Sequence, residues 1–175
     1  MEREDVEAAI RAAFAGVQLG SGCSLQQARL IDEGLTVDLS EAEFAAIPRH
    51  ETTDDWTRLS ESELLCDALA HLDADGLRYY LPALMLWLLD HYNDADLIFD
   101  SEASMTAIAT MSALAPSAEI ARYRWNTYDG FTLEQRVAMA KYVEALPRLV
   151  ALDHDDVIWV RRSIERYWAQ FLPVT

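Results

Sequence analysis

The sequence predicts an all-α protein: a single compact domain of about seven to eight helices, spanning residues 1–175, with a central apolar helix. Three observations lead there. Hydrophobic residues make up 51% of the 175, and aromatics occur along most of the length, which favours a packed core over disorder. Gly and Pro number only six and five, too few for the many tight turns of a sandwich or barrel. Between Leu77 and Tyr92 the apolar positions Leu77, Tyr80, Leu81, Leu84, Met85, Leu88 and Leu89 cover too wide a face for a surface helix.

The elements follow in order. Val6, Ile10, Ala13 and Phe14 fall on one stripe of a helix over Glu2 to Ala15, whose acids cluster in the first turn where the helix dipole favours them; Gly16 stops it. Ser24 caps a short helix over Leu25 to Glu33 that Gly34 ends. Leu35 to Leu39 alternates like a strand but has no partner strand, so it reads as extended linker. Ser40 with Glu43 forms a capping box for Glu41 to Ile47, closed by Pro48, and a polar loop leads to Trp56. Ser60 with Glu63 opens a helix to about Leu72 with the stripe Leu64, Leu65, Ala68, Leu69 and Leu72. The turn Asp73-Ala74-Asp75-Gly76 precedes the central helix, which Pro82 either starts at about Leu81 or kinks. Asn93 to Asp100 is an acidic connection. Ser101 to Leu114 is a helix of small residues, with Ala103, Ala107 and Met111 suited to close packing. Residues 117–130, rich in aromatics and Arg, carry no clear pattern. Thr132 with Gln135 opens a helix to Leu146 that Pro147 terminates, and Asp153 or Asp155 caps a last helix over Val157 to Phe171.

The formal net charge of −16 is one-sided. Residues 1–110 hold 22 acids against six arginines, whereas residues 111–175 hold eight acids and eight bases. A field of that sign repels phosphate backbones and anionic lipid, so no nucleic-acid and no membrane partner is expected. It attracts a basic protein and speeds the encounter. Ordinary solubility charge is the competing reading. The acidic start Met1-Glu2-Arg3-Glu4-Asp5 lacks the pattern of a secretory signal, and no apolar run is long enough to span a bilayer. Cys23 and Cys66 then read as reduced thiols, and a cytoplasmic location is expected.

Signatures of catalysis or metal binding fail on spacing. After His50-Glu51 the second zinc-ligand position is Asp54. A calcium loop opening near His71, Asp73 and Asp75 needs a bidentate acid where Pro82 stands. His91, Asp94 and Asp96, and likewise His154, Asp155 and Asp156, suit a divalent ion but are equally ordinary surface pairs. Gly20 to Ser24 lacks the strand and helix of a nucleophile elbow. No cofactor is implied. In the last helix Val157, Val160, Ile164, Trp168 and Phe171 form the face to be buried, leaving Trp159, Arg161, Arg162, Arg166 and Tyr167 elsewhere. Trp, Tyr and Arg are the residue types enriched at binding hot spots.

Trp56-Thr57-Arg58-Leu59, then Leu77-Arg78-Tyr79-Tyr80-Leu81-Pro82-Ala83, then Phe131-Thr132-Leu133-Glu134-Gln135-Arg136 resemble, in that order, a bacterial domain family of unknown function. Its members carry a Trp, a Tyr-Leu-Pro-Ala segment and a late Phe-Ser/Thr-x-x-Gln helix start. The resemblance covers roughly residues 5–150 and implies a helical domain, with no activity, cofactor or active site attached. The segment after Pro147, with its Arg-rich amphipathic helix, is not assigned to the pattern.

These readings together point to a protein-binding module, more naturally a binder than an enzyme. One concrete form is an immunity-type or antitoxin protein that blocks a basic toxin. Asp94, Asp96, Asp100, Glu102, Trp159, Arg162 and Arg166 are its candidate partner-binding residues. A carboxylate and His enzyme, and a structural homo-oligomer joined through the last helix, are the alternatives. Excess acid gathered in one region repels itself, so the melting temperature should rise between salt-free buffer and about 0.15 M salt. A flat or falling melting temperature by circular dichroism would count against such a patch.

Overall fold

The computed structural model describes residues 2–94 and 101–173, which form nine α-helices with 3-10 turns between them and no strand. The helices are α1 (Arg3–Ala13), α2 (Leu25–Asp32), α3 (Glu41–Ala45), α4 (Glu61–Leu64) and α5 (Ala74–His91), followed by α6 (Glu102–Leu114), α7 (Ala121–Thr127), α8 (Leu133–Leu149) and α9 (His154–Arg166). Many local signals act as the sequence predicts. Val6, Ile10 and Phe14 of the first stripe are fully buried. Ser24, Ser40 and Thr132 each accept the amide hydrogen three residues on, and Gln27, Glu43 and Gln135 return the bond. Gly34, at φ 71°, lets Leu35 N–H reach Leu30 O at 2.9 Å and Gly34 N–H reach Ile31 O at 3.0 Å, which closes α2 in a Schellman turn.

The departures have tertiary causes. The helix expected from Ser60 to Leu72 is broken: α4 lasts one turn, Leu65 is extended, and Ala68–His71 is a 3-10 turn. Two distant groups compete with the helical ladder at the break. Cys66 N–H donates to Thr106 Oγ1 at 2.8 Å, and Leu65 O accepts from Arg29 at 3.1 Å. Cys66 is therefore buried in the break and not on a helical stripe. Leu35 to Leu39 forms turns instead of an extended linker.

The expected turn before the central helix is that helix's own first turn. Asp73 Oδ1 accepts from Gly76 N–H at 2.7 Å and from Cys23 N–H at 3.0 Å, so one carboxylate caps α5 and holds the loop beside it. A Cβ on Gly76 would stand 2.3 Å from Cys23 O, so only glycine permits that approach. α5 then continues through Pro82, and α8 continues through Pro147 to Leu149. The last helix begins earlier than expected, capped by Asp153, and stops at Arg166; Trp168–Phe171 is a separate 3-10 turn. Residues 117–130 hold α7 and a 3-10 turn at Tyr128–Gly130.

α5 is the core. Twelve of its residues are buried, and α1, α4, α6 and the turn at Trp56 pack around it, while α8 joins α1 to α9. The surrounding helices end inside the protein, where their last carbonyls need donors. Aromatic tips supply them. Trp56 Nε1–H donates to Phe14 O at 2.9 Å, Trp168 Nε1–H to Leu114 O at 2.8 Å, and the Tyr128 hydroxyl to Ala113 O. Replacing Trp168 by Phe keeps most of the apolar contact and removes the donor to the Leu114 carbonyl at the end of α6. Urea denaturation should show a loss of about 1–3 kcal/mol.

Glu63 is a second tertiary anchor. Its carboxylate accepts from Ser60 N–H at 2.8 Å, Ser60 Oγ at 2.6 Å, Thr52 N–H at 2.7 Å and Thr52 Oγ1 at 2.9 Å. The Ser60 hydroxyl and amide, then the Thr52 amide, hold the carboxyl down from 4.5 to about 2. A depressed folded-state value stabilises the protein above the unfolded value and is lost as pH falls. Acidification from pH 4.5 towards 2 should therefore lower the melting temperature less steeply in Glu63→Gln than in the parent. Parallel slopes for the two proteins would remove Glu63 from this role.

Candidate functional site

The structure distributes the sequence-predicted binding residues over several places. Asp94 is held by His91 Nδ1 at 2.7 Å, and His91 stacks on Trp87 with ring centroids 5.0 Å apart. Asp96 and Asp100 lie outside the described residues. Glu102 opens α6 and approaches Arg29 at 3.7 Å over a polar hollow shared with Cys66 and Asp67. Trp159 lies at a different hollow, with the Arg162 guanidinium 5.2 Å from its ring centroid. Arg166 is exposed in the last turn of α9. The apolar side of α9 is covered within the chain by α8 and α6, with Val160 buried, and Trp168 of the following turn is buried as well.

Two features remain that local structure does not account for. The first is the ridge of residues 33–47, formed by the turns after α2 and by α3. Burial does not explain it: α3 contains no buried residue, and Leu35 and Val37 are 61% and 82% exposed. No basic residue occurs between Arg29 and Arg49, whereas Asp32, Glu33, Asp38, Glu41 and Glu43 do, all exposed. Hydrogen bonds from the Ser40 hydroxyl and amide hold the Glu43 carboxyl below its ordinary value. The ridge is tethered by the Gln27 side-chain amide, which donates to Phe44 O at 2.9 Å.

The second is a cleft of about 560 Å³ between the end of α5, α6 and the start of α9. Ala107, Ile108 and Met111 of α6 and Trp159 of α9 give it apolar walls, and Asp153 and Asp156 stand at its edge. Its frame is tied together. Asn93 donates to Ala151 O at 3.0 Å and accepts from Ala151 N–H at 2.8 Å. Tyr92 Oη accepts from Asp153 N–H at 3.0 Å and donates to Asp156 Oδ2 at 2.6 Å. Burial raises the Asp156 carboxyl above its ordinary value; the Tyr92 hydrogen bond opposes that, and Asp153 and Asp155 add to it. Sequence reasoning singled out Trp159 but missed Tyr92 and the α6 wall, whose Ala and Met residues read simply as core.

Of the His and carboxylate clusters, His91 pairs with Asp94, and Asp96 lies outside the described residues. His154 is exposed and does not line the cleft that Asp156 lines. Among the described residues no group of three or more His, Cys, Asp and Glu is placed to hold a metal ion. Asp73 and Asp75 of the calcium-like stretch are engaged elsewhere, Asp73 as the α5 cap and Asp75 with Arg78 at 2.6 Å. Both cysteines are free, and burial pushes the Cys23 thiol up to about 11, with the Asp73 charge adding to it. No helix among the described residues is long and apolar enough to cross a membrane.

An all-helical domain with an acidic ridge and one apolar cleft is the class these features define. The chain belongs to a family of unknown function (DUF6714), whose model matches residues 2–172. The match extends past Pro147 and takes in the last helix, which the motif pattern alone did not reach. No curated protein and no solved structure matches the chain significantly.

Proposed function

We propose that the protein is a binding module for a basic protein partner, docked on the ridge of residues 33–47. The observation that supports this most directly is the pairing of exposed Leu35 and Val37 with a surrounding segment that has acids and no base. Exposed apolar side chains forfeit about 25 cal/mol for each Å² left in water. Covering Leu35 and Val37 with a partner would recover that energy. The acids around them would select a partner with a basic rim and accelerate its approach at low salt. The excess of acids in residues 1–110 acts in the same direction. A toxin-neutralising role, in which the ridge blocks a cationic active surface, is the concrete form this reading favours.

The test compares the parent protein with the double variant Leu35→Ser, Val37→Asp as bait in a lysate of the source cell. Both side chains are exposed, so the variant should fold with an unchanged melting temperature. The parent should retain a protein of basic isoelectric point that 0.5 M salt (on the order of five times a 0.1 M buffer) releases, and the variant should retain none of it. Equal retention of that protein by both baits, or retention of acidic proteins only, would overturn the ridge as the docking surface.

A further inference from the structure

We infer that the cleft between α5, α6 and α9 is a binding site for a small organic cation: a protonated amine carried on an aromatic or branched aliphatic body. The cleft's size and its division into two chemistries point there. About 560 Å³ lies within the range of small-molecule sites. Ala107, Ile108, Met111 and Trp159 offer an apolar surface on one side, and Asp153 with Asp156 offers carboxylates on the other. A ligand that satisfies both has an apolar body with a polar end.

The sign of that end follows from the charges around it. Among the described residues neither Asp153 nor Asp155 nor Asp156 has a basic side chain within ion-pair distance. Arg162, on the same helix, lies over the Trp159 ring. Of the amides at the start of α9 that attract anions, the Asp156 N–H is already taken, because Asp153 accepts from it at 2.8 Å. Asp156 is half-buried, and a single hydroxyl, from Tyr92, is its side-chain partner. A partly desolvated carboxylate without a counter-charge favours an incoming cation and repels an anion. The site is also pre-organised. Tyr92 fixes Asp156 from one side, and the reciprocal Asn93–Ala151 pair holds the loop before α9, so little ordering remains to oppose binding.

Calorimetric titration with 2-phenylethylammonium and with 3-phenylpropionate at pH 7 tests the assignment, because the two probes share a body and differ in charge. The amine should bind at least about tenfold more tightly than the acid. Asp156→Asn keeps an acceptor for Tyr92 and removes the charge, and should weaken the amine by at least about tenfold. Ile108 is 59% exposed, so Ile108→Arg places a cation at the mouth without disturbing the core and should have a similar effect. Absence of amine binding at millimolar concentration, equal affinity for the two probes, or an unchanged amine affinity in Asp156→Asn would each overturn the proposal. The ridge variant Leu35→Ser, Val37→Asp should bind the amine as the parent does, because no ridge residue lines the cleft, so the two sites succeed or fail separately.

Discussion

The fold depends on how buried helix ends find hydrogen-bond donors. A helix that stops at the surface leaves its last carbonyls to water, but α1 and α6 stop against the core. Trp56 answers the end of α1, and Tyr128 and Trp168 answer the end of α6. Each of these donors arrives from a segment at least 15 residues away, and Trp168 from 54 away. One bond thus does two things: it satisfies a polar group that burial would otherwise penalise, and it ties a distant segment to the bundle. In the middle of α5 the Tyr142 hydroxyl donates to Met85 O at 2.8 Å, which ties α8 to the central helix.

That arrangement gives the cleft its rigidity. Trp168 and Tyr128 fix the end of α6, so its middle, at Ala107 and Met111, is held as a wall. The break at Tyr167 that lets Trp168 turn inward also sets where α9 ends. The ridge is organised in the opposite way. Its residues give little to the core and are held by a capping box and by the Gln27 amide. A surface that contributes little to stability and exposes Leu35 and Val37 is free to serve a partner, because changing it costs the fold little.

Charge divides into two populations. Asp73, Glu63 and Asp153 are acids with structural tasks: capping α5, joining the Thr52 loop to α4, and capping α9. Their contribution to the net charge of −16 carries no information about a partner. Among the ridge acids Glu43 closes a capping box, and Glu33, Asp38 and Glu41 have no such task among the described residues. Counting acids along the chain therefore overstates the surface available for recognition, and the coordinates separate the two groups.

The sequence by itself determined the helical class, the buried α5, the first stripe of Val6, Ile10 and Phe14, and the caps at Ser24, Ser40 and Thr132. These are legible because their causes are local: a period of 3.6 residues, a hydroxyl beside an amide three residues on, a glycine at positive φ. Only the tertiary structure decided that the helix after Ser60 would break at Leu65, that α5 and α8 would run through their prolines, and that Leu35 to Leu39 would form exposed turns. It alone brought Tyr92 to Asp156 and placed Trp159 opposite α6. At Leu65 and Cys66 the reason is visible, since Arg29 and Thr106 offer bonds that a local helix would have to forgo. The choice between two ways of satisfying the same backbone groups depends on residues far along the chain, and no local pattern contains it.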